Sequence, residues 1–143
     1  MSNRKKAPEV RIPTPEAFTG NRNDCLDVSR LVSEMMKRTG LDREEIARRA
    51  TRLTGSNIGK STMDGWTSMG RLDRNMPFCV VPALSSVCNS YKLAEWLAEK
   101  LGGRFLFGKE VLLAELGKAE LEAASMQRKL DEIKKLLFKG EQR

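Results

Sequence analysis

A polar segment in the middle of the chain, from Ser56 to Arg71, holds the side chains best suited to contact a polyanion. Lys60, Ser61 and Thr62 stand together in it, and each can donate a hydrogen bond to a phosphate or to the edge of a base. The full set of candidate contacts to double-stranded DNA consists of Arg43, Arg48, Arg49, Arg52, Asn57, Lys60, Ser61, Thr62, Asp64, Ser68 and Arg71. Asp64 would repel phosphates unless it accepts from a cytosine amine or pairs with a nearby Lys or Arg.

Catalytic and metal-binding chemistry is poorly represented among the remaining residues. No histidine occurs in the 143 residues, so the commonest general base and the commonest protein metal ligand are both missing. Cys25, Cys79 and Cys88 are an odd number without a C-x-x-C spacing, which predicts reduced thiols rather than a disulfide framework or a zinc site. We therefore expect a protein that is not an enzyme and has no catalytic residues, metal, cofactor or small-molecule substrate.

The charge balance favours acidic partners. The 26 Lys and Arg exceed the 19 Asp and Glu, and the resulting net charge of +7 is typical of proteins that bind nucleic acid or an anionic surface. No apolar run approaches the roughly 18 residues that a bilayer crossing needs, and the N-terminus lacks the apolar stretch of a secretory signal. These features predict a cytoplasmic protein that does not engage a membrane.

Residues 54–62, TGSNIGKST, come close to the phosphate-binding loop G-x-x-x-x-G-K-S/T of nucleotide hydrolases. Thr54 stands where the first glycine of that loop belongs, and Gly55 comes one residue late. The loop must also follow a buried strand, whereas the preceding residues REEIARRATRL have a helical and charged pattern. An ATPase is therefore not expected.

The elements that must position the DNA contacts are predicted to be short amphipathic helices. Apolar residues recur at spacings of three and four after Asp27, which predicts a first helix that ends at Gly40. Asp42, with Glu45 three residues on, forms a capping pattern that opens a second helix, and Gly55 ends it. The predicted inward face of the second helix is Ile46, Ala47, Ala50 and Leu53.

Three further helices are predicted before residue 103. Ser61 opens a short third helix that carries Trp66 on its apolar face, and Pro77 is placed at the first turn of a fourth. Pro82 comes early enough to kink that helix or to shift its start. Ser90 is the predicted cap of a fifth helix, and the following RFLF is a strand or an extended connector. The inward residues of the fifth helix are predicted to be Leu93, Trp96, Leu97 and Leu101.

A long helix is predicted from Lys109 to about Lys139. Its apolar residues step by four and three in alternation, which is the a/d seam of a coiled coil. This spacing favours pairing between subunits over the alternative, a single helix that folds back onto its own domain. The sequence leaves open whether the assembly is a dimer or a tetramer and whether its helices run parallel. The seam consists of Leu112, Leu116, Ala119, Ala123, Met126, Leu130, Ile133 and Leu137.

These patterns predict an all-α protein, in which a compact helical bundle with a helix-turn-helix precedes a long C-terminal coiled-coil helix. We assign residues 1–24 to a basic flexible arm, 25–106 to the helix-turn-helix domain and 107–143 to the coiled-coil helix. A helix fits the major groove when polar residues lead it and an apolar underside anchors it, as IGKSTMDGW does after LDREEIARRA.

The segment from Leu41 to Trp66 resembles the lambda-repressor-like (Xre-type) helix-turn-helix domain. Ala47 and Trp66 lie 19 positions apart, whereas the family spaces them by about thirteen, so TRLTGSN has the look of an insertion that lengthens the second helix or the turn. The part from Met76 to Gly103 resembles small CII-type regulators of temperate and transposable bacteriophages. The matches to the helix-turn-helix pattern are Ile46, Ala47, Ile58, Ser61, Thr62, Met63 and Trp66.

The resemblance implies that residues at the start of the third helix contact DNA, which by position are Lys60, Ser61, Thr62 and Asp64. It also implies self-association and a place in the bacterial cell, on the nucleoid. Together with the charge pattern, it predicts a sequence-specific transcriptional regulator of phage or prophage origin that reads the major groove of double-stranded DNA.

Two other functions are consistent with parts of the sequence. A non-enzymatic interaction or adaptor module acting through the coiled coil accounts for the heptads and leaves the arginine-rich second helix unexplained. An RNA-binding protein would need exposed aromatic platforms, and Trp66, Trp96 and Tyr91 are all predicted to lie on apolar faces.

Overall fold

The computed structural model describes residues 11–141, so the first ten residues of the predicted arm, including Arg4, Lys5 and Lys6, lie outside the described residues. Within 11–141 the fold is all-helical and contains no strand, which confirms the predicted fold class. The helices are α1 (Asp24–Arg38), α2 (Arg43–Thr54), α3 (Lys60–Trp66), α4 (Val81–Cys88), α5 (Lys92–Lys100) and α6 (Lys109–Glu141), with a short 3₁₀ helix at Phe78–Val80.

The described chain divides into two compact units, one up to Phe105 and one from Leu106 onward. The core of the first unit is built where α2 packs against α3 and α4, and where α1 packs against α4 and α5. The second unit is dominated by the 33-residue α6. None of the helices within 11–141 combines the length and apolar composition that a bilayer crossing requires. The core side chains are Val32, Met35, Met36, Ile46, Ala47, Ala50, Ile58, Met63, Trp66, Met76, Val80, Leu84 and Leu93.

Local capping sets the ends of the first two helices. The Asn23 side chain accepts a hydrogen bond from the Leu26 N–H at 3.1 Å, so α1 begins at Asp24, earlier than its apolar spacing predicts. The Asp42 carboxylate accepts from the Glu45 N–H at 2.7 Å, which confirms the predicted start of α2. Gly55 ends α2 with a φ of 69°, a left-handed conformation that glycine adopts without steric cost.

The later helix starts differ from the predictions by one to four residues. α3 begins at Lys60 after Gly59, which provides no side-chain cap, and α5 begins at Lys92 rather than directly after Ser90. Pro77 precedes the short 3₁₀ helix and is not part of α4. Because proline has no N–H, Pro82 is accommodated in a first turn, and it therefore shifts the start of α4 to Val81.

Three residues predicted to face inward are exposed, and one of them is Leu97, which is 36% exposed in the last turn of α5. Leu53 lies in the last turn of α2, past the buried Ala50, and is 59% exposed on a shallow surface groove beside Pro82. Leu101 follows the last residue of α5, where the helical period no longer sets its direction, and is 62% exposed. The RFLF segment contains no strand, so the connector interpretation is correct.

The described part of the predicted arm is residues 11–24; Asp24 already belongs to α1, whereas residues 11–23 contain no helix and contact the end of α5. The Glu16 N–H donates to the Lys100 carbonyl at 3.1 Å, and the Lys100 ammonium pairs with the Glu16 carboxylate at 2.7 Å. Gly102, with a φ of 78°, lies so close to this segment that a Cβ there would come within 2.4 Å of the Pro15 nitrogen. A glycine at position 102 is therefore required for this packing.

Candidate nucleic-acid interface

α2 and α3 are joined by a turn that α2 itself holds in place. The Thr51 hydroxyl donates to the Ile58 carbonyl at 3.1 Å and accepts from the Ile58 N–H at 3.0 Å. The Thr54 hydroxyl donates to the Ala50 carbonyl and accepts from the Ser56 N–H at 3.2 Å. TRLT, the first part of the apparent insertion, therefore lies within α2, and its two threonines bind the turn.

The underside of α3 is anchored in the core. Met63 is fully buried, Trp66 is 6% exposed and Ile58 just ahead of the helix is 7% exposed. The buried position of Trp66 confirms its predicted role as a core anchor. Lys60, Ser61 and Thr62 form the first turn of α3, ahead of these anchors, and all three are exposed.

Several of the predicted contact residues lie together on one surface. A shallow groove runs between α2 and the start of α3, and its lining includes Arg48, Arg52, Asn57, Gly59 and Lys60. Lys60 and Arg52 form no ion pair with any residue between 11 and 141. These two charges are available to an acidic ligand.

Asp64 points outward on α3 and is neutralised by α2. The Arg43 Nη1 atom lies 2.7 Å from the Asp64 carboxylate and also donates to the Thr67 hydroxyl at 2.7 Å. Asp64 is expected either to accept from a cytosine amine or to pair with a nearby Lys or Arg, and the structure contains the second of these arrangements. Arg43 therefore positions α3 against α2, and its charge is compensated within the protein.

Arg48 and Arg49 are both exposed on α2 and share one acidic partner. Each forms an ion pair with Glu45, to which the Arg49 Nε atom donates at 2.8 Å. The three side chains together carry one positive charge. Exposed pairs of this kind are weak, about 0.2–1 kcal/mol, so a phosphate can compete with Glu45 for either arginine.

The residues after α3 add two exposed cations to this region. Arg71 is exposed as predicted and has no ion pair within 11–141, whereas Ser68 is half-buried and accepts from the Arg71 N–H at 3.1 Å through its backbone carbonyl. Arg74 is not among the predicted contacts, and it lies beside α3, with its Cδ 3.8 Å from where a Cβ on Gly65 would be. Its position three residues after Arg71 in the same loop was the feature of the sequence that could have identified it as a contact.

The loop that carries these arginines is tied back to α1. The Asn75 amide donates to the Ser29 hydroxyl at 3.0 Å and to the Cys25 carbonyl at 3.0 Å. Ser29 is fully buried, and Asn75 satisfies its hydroxyl. The bonds at Asn75 therefore limit how far Arg74 can move from α3.

The aromatic residues are only partly placed as predicted. Trp96 is half-buried, and its indole Nε1 is buried without a hydrogen-bond partner among the described residues. Tyr91 is 41% exposed, which contradicts its prediction on an apolar face, because it directly precedes α5 instead of lying within the helix. Its ring centroid lies 5.4 Å from that of Phe105. The groove beside α3 contains no aromatic side chain.

The predicted oligomerisation residues lie on α6. All eight are exposed, from 44% for Leu130 to 69% for Leu112 among the large side chains, and they share one face of an uninterrupted helix. Because they repeat at alternating spacings of three and four, they form one continuous apolar stripe along it.

Within residues 11–141, no cluster of three or more Cys, Asp or Glu side chains could hold a metal ion. Comparisons with profiles of known protein families, with curated proteins and with solved structures gave no match for this chain. The resemblance to the lambda-repressor-like domain therefore rests on the residues of Leu41–Trp66 and stays a prediction.

Proposed function

We propose that the protein is a sequence-specific transcriptional regulator, of phage or prophage origin, that inserts α3 into the major groove of double-stranded DNA. The observation that supports this proposal is the contrast within α3 between its buried anchors and its exposed first turn. Met63 and Trp66 are locked in the core, whereas Lys60, Ser61 and Thr62 are exposed and free to contact a ligand. A helix held in this way presents its side chains at a defined angle.

The exposed side chains of α3 have the chemistry of base readout. Lys60 can donate to guanine O6 and N7 or to a phosphate, and the Ser61 and Thr62 hydroxyls can donate to or accept from base edges. Gly65 has no side chain, so the wall of the groove can approach α3 closely there. The seven residues of α3 span roughly 10 Å, which suits contact with a few successive base pairs.

The surrounding cations supply contacts to the DNA backbone. Arg52, Arg71 and Arg74 are exposed and unpaired within the described chain, and they lie before and after α3 in the sequence. If these three and Lys60 each neutralise one phosphate, the logarithm of the binding constant should fall with the logarithm of salt concentration with a slope of about −3.6 per subunit. Steep salt dependence is thus part of the proposal.

Selection of bound duplexes from a random pool tests sequence specificity, and fluorescence anisotropy of the selected duplex at two salt concentrations tests the contacts. Lys60→Ala should weaken binding by roughly ten- to a hundredfold, since one good base contact contributes about 1–3 kcal/mol. Lys37→Ala is the matched control, because Lys37 is an exposed, unpaired lysine on α1 within the described residues. Equal losses of DNA affinity for the two substitutions would exclude α3 as the helix that contacts the bases.

Arg52 and Arg48 provide a second comparison within α2. Arg52 has no acidic partner in the described chain, whereas Arg48 pairs with Glu45. Arg52→Ala should therefore make the slope of log binding constant against log salt concentration less steep by about one, and Arg48→Ala should change that slope less. A salt slope unchanged by Arg52→Ala would exclude Arg52 as a phosphate contact.

A second candidate function, a protein interaction module, is favoured by the exposed apolar stripe of α6. In that case the purified protein would self-associate or bind another protein through α6 and would enrich no duplex from the random pool. The selection experiment therefore separates the two functions.

A further inference from the structure

The apolar stripe of α6 has no partner within its own unit, and a coiled-coil seam is covered when a second helix packs on it. The two orientations of a second α6 place different residues beside one another. In a parallel pair, each seam residue meets its own copy. In an antiparallel pair, the first seam residue meets the last, so the pattern of charge and size along α6 determines which orientation is more favourable.

The two halves of α6 carry opposite net charge. Residues 113–124 have a net charge of −2 and residues 125–136 a net charge of +2. A parallel pair would place acidic beside acidic and basic beside basic, and an antiparallel pair would place each half beside its opposite. The charged residues of these halves are Glu115, Lys118, Glu120, Glu122, Arg128, Lys129, Asp131, Glu132, Lys134 and Lys135.

The individual charged residues that flank the seam also favour the antiparallel pair. In an antiparallel pair aligned on the seam, Glu122 lies beside the partner's Lys129, and by symmetry this pair occurs twice. Neither side chain has an ion pair within residues 11–141. In a parallel pair, Lys129 instead faces the partner's Lys134, and Glu115 faces the partner's Glu120. Like charges at those positions disfavour the parallel arrangement.

The sizes of the seam residues lead independently to the same orientation. Ala119 and Ala123 are consecutive in the seam, so a parallel pair would contain two neighbouring layers made of alanine alone. In the antiparallel pair, Ala119 meets the partner's Leu130 and Ala123 meets the partner's Met126. Every layer then contains at least one large side chain, which avoids voids that cost stability.

We propose that α6 pairs with α6 of a second copy of this chain in an antiparallel coiled coil. Its centre lies between the two layers in which Ala123 meets the partner's Met126, and two Glu122–Lys129 ion pairs flank that centre. This inference does not rest on the proposed DNA binding. In this arrangement the two Lys109 residues lie about 46 Å apart along the pair, at 1.5 Å per residue. The chains therefore enter the coiled coil at opposite ends.

Reversing one charge changes the dimer affinity in opposite directions for the two orientations. In the full-length protein, Lys129→Glu should raise the dimer dissociation constant roughly tenfold at low ionic strength, because two attractive pairs become repulsive. Glu122→Lys should do the same, and the double variant should return to within about threefold of the wild type. A parallel pair would instead be tightened by Lys129→Glu, since it would face the partner's Lys134, and that result would overturn the proposal.

Lys135→Glu is the matched control, since it makes the same charge change on the face of α6 opposite the seam. Sedimentation equilibrium should give it a dissociation constant close to that of the wild type. Leu130→Asp should abolish the dimer by placing a charge in the seam. Helicity retained in its circular dichroism spectrum would show that the variant is still folded. A wild-type chain that is monomeric at high concentration would overturn the proposal outright.

Disulfide crosslinking provides a direct reading of orientation. In a background of Cys25→Ser, Cys79→Ser and Cys88→Ala, chains with Leu112→Cys and chains with Leu137→Cys should crosslink when mixed. Each variant alone should stay uncrosslinked, because like positions lie about 38 Å apart in the antiparallel pair. Crosslinking of Leu112→Cys to itself would establish the parallel arrangement and contradict the proposal.

Discussion

The Thr51 hydroxyl binds both backbone polar groups of Ile58, at 3.1 Å to its carbonyl and 3.0 Å to its N–H. Ile58 is buried directly ahead of α3, so this pair of bonds links the position of α3 to the surface of α2. The longer spacing between Ala47 and Trp66 therefore does not leave α3 loosely attached.

Thr51→Val removes the hydroxyl and keeps the shape of the side chain. It leaves the N–H and carbonyl of Ile58 without their partner, so we expect the free energy of unfolding to fall by about 1–3 kcal/mol in urea denaturation. Thr62→Val is the control, because Thr62 is exposed and has no hydrogen bond within the described residues. Equal stabilities of the two variants would show that the Thr51 bonds contribute nothing.

Asp64→Asn should tighten DNA binding by about threefold, because it removes a negative charge from the proposed reading face while leaving Arg43 in place. Arg43→Ala should weaken binding, since it exposes the Asp64 carboxylate to phosphates and removes one of the contacts between α2 and α3. The double variant should bind better than Arg43→Ala alone. Fluorescence anisotropy with the selected duplex measures the affinity of all three variants. Equal losses of affinity for Arg43→Ala alone and for Arg43→Ala combined with Asp64→Asn would contradict the role of Asp64.

Gly102→Ala should be more destabilising than Gly55→Ala, although both glycines have φ near 70–80°. Nothing lies within 4 Å of a Cβ at Gly55, so that change carries the left-handed backbone cost of about 1–2 kcal/mol. At Gly102 the new Cβ would also meet Pro15 at 2.4 Å. We expect an added loss of about 1–3 kcal/mol in urea denaturation.

Limited proteolysis checks the location of that effect. Displacement of the segment around Pro15 in Gly102→Ala should expose the chain to cleavage near Arg11 and Arg22, and Gly55→Ala should leave cleavage there unchanged. Equal stability and equal cleavage of the two variants would mean that the segment is not held against α5.

Cys88 should react more slowly with iodoacetamide than Cys25 and Cys79. Burial raises the pKa of the Cys88 thiol from 9.0 to about 11, whereas the other two cysteines are exposed. At pH 8 a shift of this size reduces the thiolate fraction roughly a hundredfold. Mass spectrometry of the alkylated protein over time measures the three rates, and a Cys88 rate equal to the others would contradict this environment.

The same shift predicts a pH dependence of stability. The unfolded thiol loses its proton near its ordinary pKa of 9.0, whereas the folded one keeps it until about 11. Unfolding therefore releases a proton between these values, and the contribution of Cys88 to the free energy of unfolding should fall as pH rises through this range. Comparison with Cys88→Ala isolates that contribution, and a wild-type curve parallel to that of the variant would rule it out.

Much of the first unit could be predicted because its signals are local. The Asp42 cap, the Gly55 terminus and the buried position of Trp66 follow from chain chemistry and helical period within a few residues. The failures occur at helix ends, as with Leu53 and Leu101. Burial there depends on how far the neighbouring helices extend, and spacing along one helix contains no information about that.

The sequence by itself determined the all-helical fold, the polar leading face of α3 and the eight-residue stripe of α6, because each depends on residues within one or two helical turns of one another. Tertiary structure alone decided that Arg43 neutralises Asp64 across 21 positions, that Arg74 lies beside Gly65, and that Arg52 and Lys60 keep their charges unpaired. The physical reason is that ion pairing depends on distances through space, which are set by the packing of α2 against α3.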